Sequence, residues 1–249
     1  MTLAISILGA HGKMGQRIIH LAQGDSRYQI INGSICPHDA LSVHEEFFQR
    51  KAPTEVIEGC QVAIDFSVAD AAITHIEAAQ KLGKALVIGT TGLDEDSWSA
   101  MRSASDSIPI FYSPNFSLGM ALCFEAVKKF ARSLLEECYI DIVETHHVTK
   151  KDSPSGTAYA LARATGKEKI VFQSPSFPRT HDELVIHSIR SGKAVGEHTI
   201  IFEWGDERIE LTHRAQSRDP FARGALIAAE WVFRQPPGLY SMKDLLSNF

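Results

Sequence analysis

A chain of 249 residues can hold one large domain or two modest ones, each with a core of its own. Its composition, 44% hydrophobic and 22% charged, is that of a soluble globular protein, and a net charge of −5 speaks against a general nucleic-acid binder, which carries a basic surface. The four cysteines (Cys36, Cys60, Cys123 and Cys138) lie far apart without a Cys-x-x-Cys pair, so neither a zinc site nor a disulfide framework is expected and a reducing, cytoplasmic setting follows.

In chain order, the apolar run Leu3 to Leu8 reads as a buried parallel strand. It stops at a glycine-rich turn, so it is not a signal peptide, and no apolar run reaches membrane-spanning length. The turn Gly9-Ala10-His11-Gly12-Lys13-Met14-Gly15 leads into the helical spacing of Gln16 to Ala22. Strand, glycine turn and helix together suit a dinucleotide: the glycines admit the pyrophosphate and the helix N-terminus faces its charge. A tight strand–helix turn is the plainer use of the same residues.

The second strand, Tyr28 to Ile35, runs into Cys36-Pro37-His38 where an acidic residue would greet an NAD ribose, and Asp39 lies just beyond. NADP therefore stays open, with Lys13 and His38 as partners for a 2′-phosphate. From His38 to Pro53 the chain is polar and irregular. Strand Val62 to Phe66 precedes a helix from Ala69 to Leu82 that Ser67 is expected to cap. Strand Ala85 to Ile88 ends in Gly89-Thr90-Thr91-Gly92, a helix spans Asp94 to Ala104, and strand Ile108 to Tyr112 ends in Ser113-Pro114-Asn115-Phe116-Ser117. This alternation predicts an α/β fold with a Rossmann-like, doubly wound parallel sheet whose ligand crevice lies at the strand C-terminal ends.

Leu118 to Glu136 reads as one long helix. Strand Tyr139 to Glu144, a polar loop and a helix from Ala158 to Ala164 follow, and then a loop from Lys167 to Asp182. Three strands come next, Glu183 to Arg190, His198 to Glu203 and Arg208 to His213. With Tyr139 to Glu144 they predict a smaller α+β domain with a mixed four-stranded sheet. The amphipathic helix Phe221 to Arg234 is expected to return to the first sheet, which needs helices on both faces. The expected division is residues 1–116 with 218–249 as a dinucleotide-binding domain, and 117–217 as a substrate-binding and oligomerisation domain.

The stretch from His146 to Thr157 concentrates the chemistry. Two histidines and two lysines lie between a strand end and a helix start, where Ser155 is an N-cap candidate and Gly156 and Thr157 offer backbone N–H groups. Cations beside a helix N-terminus suit an anion, and imidazole with ammonium suits an acid that protonates an anionic substrate. Solvated surface charge is the bland alternative. Neighbouring strand residues point to opposite faces, so His146 and His147 are expected to hold different jobs and not one metal.

These motifs, with Asp65-Phe66-Ser67, Arg190-Ser191-Gly192, Gly196-Glu197-His198 and the run from His213 to Ala225, resemble the dihydrodipicolinate reductase family from Gly9 to Ala225. The resemblance implies reduction of the dehydrated form of 4-hydroxy-tetrahydrodipicolinate to tetrahydrodipicolinate, with hydride from NADH or NADPH, in diaminopimelate and lysine biosynthesis. It implies that His146 and Lys150 supply or relay the proton, that His147 contacts the small dicarboxylate substrate, and that Ser155, Gly156 and Thr157 hold a carboxylate. Gly9 through Gly15 (Ala10, His11, Gly12, Lys13 and Met14 included), Gly89, Thr90, Thr91, Ser113, Pro114, Asn115 and Phe116 would bind the cofactor, with Arg218 and Phe221 towards its nicotinamide end. A homotetramer formed through the second sheet is implied too, with no nucleic-acid or membrane partner. The chain has Lys13 where the family usually has Arg, and Pro37-His38 where it usually has an acid, so the choice between NADH and NADPH stays open. A non-catalytic nucleotide sensor on the same scaffold is the competing class; a thiohemiacetal dehydrogenase would need an activated cysteine, and none of the four lies in such a motif.

Overall fold

Strand β1 (Leu3–Leu8) is buried along nearly its whole length and is the spine of the first sheet. The structure, a computed structural model, describes residues 2–34, 48–49, 52–133, 137–172 and 177–247. It divides into two compact units, one of residues 1–118 and 219–249 and the other of residues 119–218.

In the first unit β1 is followed by α1 (Lys13–Gln23), β2 (Tyr28–Ser34), β3 (Phe48–Gln49) and α2 (Pro53–Ile57). Then come β4 (Val62–Asp65), α3 (Ala72–Lys81), β5 (Ala85–Ile88), α4 (Glu95–Ser105) and β6 (Pro109–Tyr112). Among the described residues seven strands form one sheet, with all its pairings parallel, in the order β12 (Gly238–Tyr240)-β6-β5-β4-β1-β2-β3. The order reverses between β1 and β4, so this is the topological switch point of a doubly wound sheet. Every residue of β4 and β5 is buried, as expected for strands covered on both faces.

The second unit takes up α5 (Leu118–Ser133), whose first residue belongs to the other unit, then β7 (Tyr139–His146), α6 (Gly156–Ala164), β8 (Lys169–Phe172), β9 (Glu183–Arg190), β10 (Gly196–Trp204) and β11 (Glu207–Ala215). Its sheet runs β11-β10-β7-β9-β8 and is mixed: β7, β9 and β8 are parallel to one another, and β10 is antiparallel to β7 and β11. Burial alternates strictly along β7. Ile140 and Ile142 join Leu184, Ile186, Ile200 and Phe202 in a core with α5 and α6 residues, and the opposite face stays partly open. The chain then returns to the first unit as α7 (Asp219–Val232), β12 (Gly238–Tyr240) and α8 (Met242–Leu246).

Several expectations are corrected. The second sheet has five strands, because Lys169–Phe172 pairs in parallel with β9 where a loop was expected. β7 extends two residues further, so His146 ends a strand and does not lie on the loop. Ser67 does not cap a helix. Its N–H donates to Asp65, its hydroxyl meets His75, and a 3-10 turn at Ala69–Ala71 precedes α3. Short β12 and α8 escaped the periodicity reading, since elements of three and five residues carry almost no pattern. The expected ribose-end residues Cys36, Pro37, His38 and Asp39 lie outside the described residues.

Two glycines show how tightly the first unit is closed. Gly9 has φ +78° and faces the Phe66 carbonyl, where a Cβ would lie 2.6 Å from oxygen. On α7 the contact is closer: a Cβ on Gly224 would lie 1.7 Å from the Phe116 carbonyl oxygen. Gly224→Ala is therefore expected to cost about 2 kcal/mol or more, as an overpacked core position does. Gly24→Ala, at a helix end with φ −84° and no contact under 3.7 Å, should stay within about 0.5 kcal/mol. Denaturant titration of both variants checks this, and a Gly224→Ala protein as stable as the parent would contradict the seating of α7.

Candidate active site

The buried face of β7 carries Glu144 and His146, two residues apart and so on the same side of the strand. Strand register brings the rest. Glu144 lies opposite Ser188 on β9 and His198 on β10, and His146 lies opposite Arg190. Glu144 is wholly buried, and its two oxygens are divided. Oε2 meets His146 Nδ1, while Oε1 accepts from Arg190 Nη1 at 2.8 Å and from the Ser155 N–H at 3.4 Å. Arg190 also donates to the Asp152 carbonyl at 2.6 Å, tying β9 to the loop before α6.

Burial pushes the Glu144 carboxyl up, but hydrogen bonds from Ser188, Arg190 and His146 together outweigh it and hold the group below the usual carboxylate range. The group is therefore an anion at neutral pH. Breaking such a pair by removing one partner typically costs about 3–5 kcal/mol, because the remaining charge is left buried. His146 moves the other way: burial, reinforced by the nearby Lys150 and Arg190 cations, outweighs the pull of Glu144 and places it below the ordinary imidazole value.

Ser155 opens α6. Its hydroxyl accepts from the Ala158 N–H at 3.1 Å and meets His198 Nε2 at 3.1 Å. Only 1% exposed, this hydroxyl caps the helix and is already engaged by Ala158 and His198. Gly156 is exposed, a Cβ on it would meet nothing within 4 Å, and the first turn of α6 holds no acidic residue. The Gly156 N–H is engaged by the Asp152 carboxylate, the kind of group such a helix start holds. Lys150 lies 2.8 Å from the Asp152 carboxylate, and His147 Nδ1 meets the Thr149 hydroxyl at 2.7 Å. Lys151 is exposed.

Sequence reasoning missed Glu144, Arg190 and His198. The available signal was Glu-x-His at strand spacing. Glu144, His146 and His198 place ligand-type atoms within 4.8 Å of one another. A divalent cation would there add to the charge of Arg190 and Lys150 and displace existing hydrogen bonds, so the cluster reads as a hydrogen-bonded network. Among the other histidines, His75 is buried against Asp65 at 2.8 Å, His181 packs on Tyr139 and His187 faces Asp141 at 3.3 Å. His44 lies outside the described residues.

In the first unit, the loops after β1, β4, β5 and β6 all lie at the strands' C-terminal ends. Gly12 opens α1 without a side-chain cap, no acidic residue stands in the first turn, and exposed Lys13 follows. A Cβ on Gly15 would lie 2.2 Å from the Gly9 carbonyl, so glycine there lets the turn close. Ala10 is buried and donates its N–H to the Ser34 carbonyl, while His11 and Met14 are partly exposed. This cradle fits a dinucleotide pyrophosphate. Gly89 packs on the Phe66 ring, Thr90 donates its hydroxyl to buried Asp65 at 3.3 Å, and Thr91 is exposed. Ser113 and Asn115 hold their loop together through two bonds of the Ser113 hydroxyl, beside exposed Pro114. Phe116 is only 1% exposed, and its ring packs on Phe66 and Phe111. Arg218 ends the second unit, and Phe221 lies on α7 in the first, just after Asp219, which pairs with Arg17 on α1.

Two family models match the chain: dihydrodipicolinate reductase, N-terminus, over residues 3–116, and dihydrodipicolinate reductase, C-terminus, over residues 119–246. Proteins called 4-hydroxy-tetrahydrodipicolinate reductase are similar along almost their whole length. The one from Syntrophobacter fumaroxidans is 38% identical over 97% of both chains, and that of Aquifex aeolicus 38% over 99% of both. The Methanopyrus kandleri protein is 37% identical over 98% of this chain and 96% of its own. Among solved structures, a dipicolinate-bound dihydrodipicolinate reductase from Paenisporosarcina sp. superposes with a TM-score of 0.81 at 20% identity, over 97% of this chain and 98% of that one, so the fold is shared.

His198 carries a pH consequence. Burial, with the neighbouring His146, pushes it down to about 3, so its ring is neutral in the folded chain. Because the folded value lies below the unfolded one of about 6.5, the contribution is complete above that pH and is lost as pH falls towards 3. By pH 5 the loss should be on the order of 2 kcal/mol. Denaturant titrations at pH 7 and pH 5 should show a larger drop for the parent than for His198→Gln; equal drops would contradict the neutral buried ring.

Proposed function

The chain belongs to the dihydrodipicolinate reductase family, and on that premise we propose how its residues divide the reaction. It is an oxidoreductase that reduces the dehydrated form of 4-hydroxy-tetrahydrodipicolinate to tetrahydrodipicolinate with NAD(P)H, in diaminopimelate and lysine biosynthesis. When bound, NAD(P)H supplies the hydride. Gly9 through Gly15, Gly89, Thr91 and the loop from Ser113 to Asn115 hold it in the first unit, and Arg218 and Phe221 serve its nicotinamide end.

In the second unit the backbone N–H groups of Gly156 and Thr157 take one substrate carboxylate at the start of α6. His147 contacts substrate. His146 and Lys150 handle the proton. The observation that carries this is the seating of His146: its Nδ1 is committed to Glu144, so Nε2 is the ring atom left for chemistry. In the free chain the ring is mostly neutral at pH 7. A bound dianion favours the imidazolium, and Lys150 supplies a second cation.

The face of the second sheet away from α5 and α6 carries half-exposed residues such as Val143, Thr199 and Ile201, with Ile189 at 44% exposure, and supports a homotetramer built through that sheet. No helix among the described residues is long and apolar enough to cross a membrane. A cytoplasmic place agrees with the biosynthetic role and with Cys60, Cys123 and Cys138, which are free and buried.

His146→Gln and Lys150→Cys should each lower turnover by about 10²–10⁴-fold, the usual range for a lost acid, while cofactor affinity measured by fluorescence stays within about threefold. Near-normal turnover in either variant would overturn that residue's role. The pH profiles give a second check. If protonated His146 is the acid, kcat/KM falls as pH rises through the free-enzyme value, below 6.5, and the matching limb of kcat lies at higher pH. Coincident limbs would count against charge transfer from the dianion to the ring.

A further inference from the structure

Beyond the proton-handling pair, the structure assigns a positioning role to Glu144: anchored by Arg190, its carboxylate holds the His146 ring with Nδ1 as donor, so that protons are exchanged at Nε2. This rests on the reading of His146 as the group that handles the proton.

Three observations carry it. The carboxylate is wholly buried and held from three sides, by His146 Nδ1, by Arg190 Nη1 at 2.8 Å and by the Ser155 N–H at 3.4 Å. It therefore cannot turn without uncovering a buried charge. A ring flip would set a C–H edge against that oxygen and leave the anion short of a partner. At the other edge of the ring, a Cβ on Gly196 would lie 3.0 Å from Nε2, so glycine there keeps the second nitrogen uncovered by a side chain.

The groups that face His146 come from four elements. Glu144 lies on its own strand, Arg190 on β9, and His198 on β10 with ring centroids 5.1 Å apart; His213 of β11 lies behind His198. Lys150 and Asp152 stand on the loop as a pair. Of these only Glu144 pulls His146 strongly towards the imidazolium, while Lys150 and Arg190 oppose it. Removing the carboxylate charge must therefore weaken the hold on the proton as well as the orientation of the ring. The arrangement has the logic of a carboxylate that orients a catalytic imidazole without itself taking a proton.

The test compares Glu144→Gln, His146→Gln and the double variant, as the intact chain. Glu144→Gln should lower kcat by about 100-fold with substrate KM and NADPH affinity within about threefold, and should move the limb where activity falls with rising pH to lower pH. The double variant should be no slower than His146→Gln within about threefold, since a residue acting only through His146 adds nothing once that ring is gone. A multiplied loss would indicate a merely structural role and overturn the inference. Retained turnover in Glu144→Gln, with turnover lost in His146→Gln, would overturn it too and spare the His146 reading. Retained turnover in His146→Gln would instead sink that underlying reading. Should Glu144→Gln fail to fold, the parent decides: ¹⁵N spectra of labelled histidine should show neutral His146 as the Nδ1–H tautomer, and the Nε2–H tautomer would overturn the proposal.

Discussion

The second unit depends on one buried negative charge. Glu144 is wholly buried on the sheet face that also carries Ile140, Ile142, Ile200 and Phe202, where an unpaired carboxylate would be prohibitive. Four donors, from three different parts of the chain, make it tolerable: β7 brings His146, β9 brings Ser188 and Arg190, and the start of α6 brings the Ser155 N–H. The same bonds that satisfy the charge fix the catalytic ring, the strand register and the entry into α6. Stability and chemistry here share a single set of contacts, so a change at Glu144 is felt in both.

The two units use one device twice. In each, a strand from a sheet ends, a short loop turns and a helix begins with no acidic residue in its first turn, the kind of end that favours an anion. The difference lies in the cap. α1 begins at Gly12 with no side-chain cap, and Gly9 and Gly15 bring backbone close to backbone, as an extended pyrophosphate requires. α6 is capped from within by Ser155, whose hydroxyl is shared with His198, so its anion site is narrower and is linked to the histidine network.

How much of this was legible in the sequence follows from distance along the chain. The glycine turn, the loop of two histidines and two lysines, and the Ser155 cap are contiguous, and local chemistry was enough to find them. Glu144 and Arg190 are 46 residues apart, and Ser155 and His198 are 43 apart. Only the pairing of β7 with β9 and β10 brings them together, and a single sequence does not reveal register before the sheet exists. Which polar atoms are already engaged, as at Ser155, and which rings are buried, as at Phe116, are likewise facts of packing. Short β8, β12 and α8 fell below the length at which periodicity speaks.

The most direct test of the account is a crystal structure with pyridine-2,6-dicarboxylate and NADPH bound. One carboxylate should accept hydrogen bonds from the Gly156 and Thr157 N–H groups, with His146 Nε2 and Lys150 Nζ turned to the ring and His146 Nδ1 still on Glu144. A dicarboxylate bound away from α6, or a His146 ring released from Glu144, would contradict it.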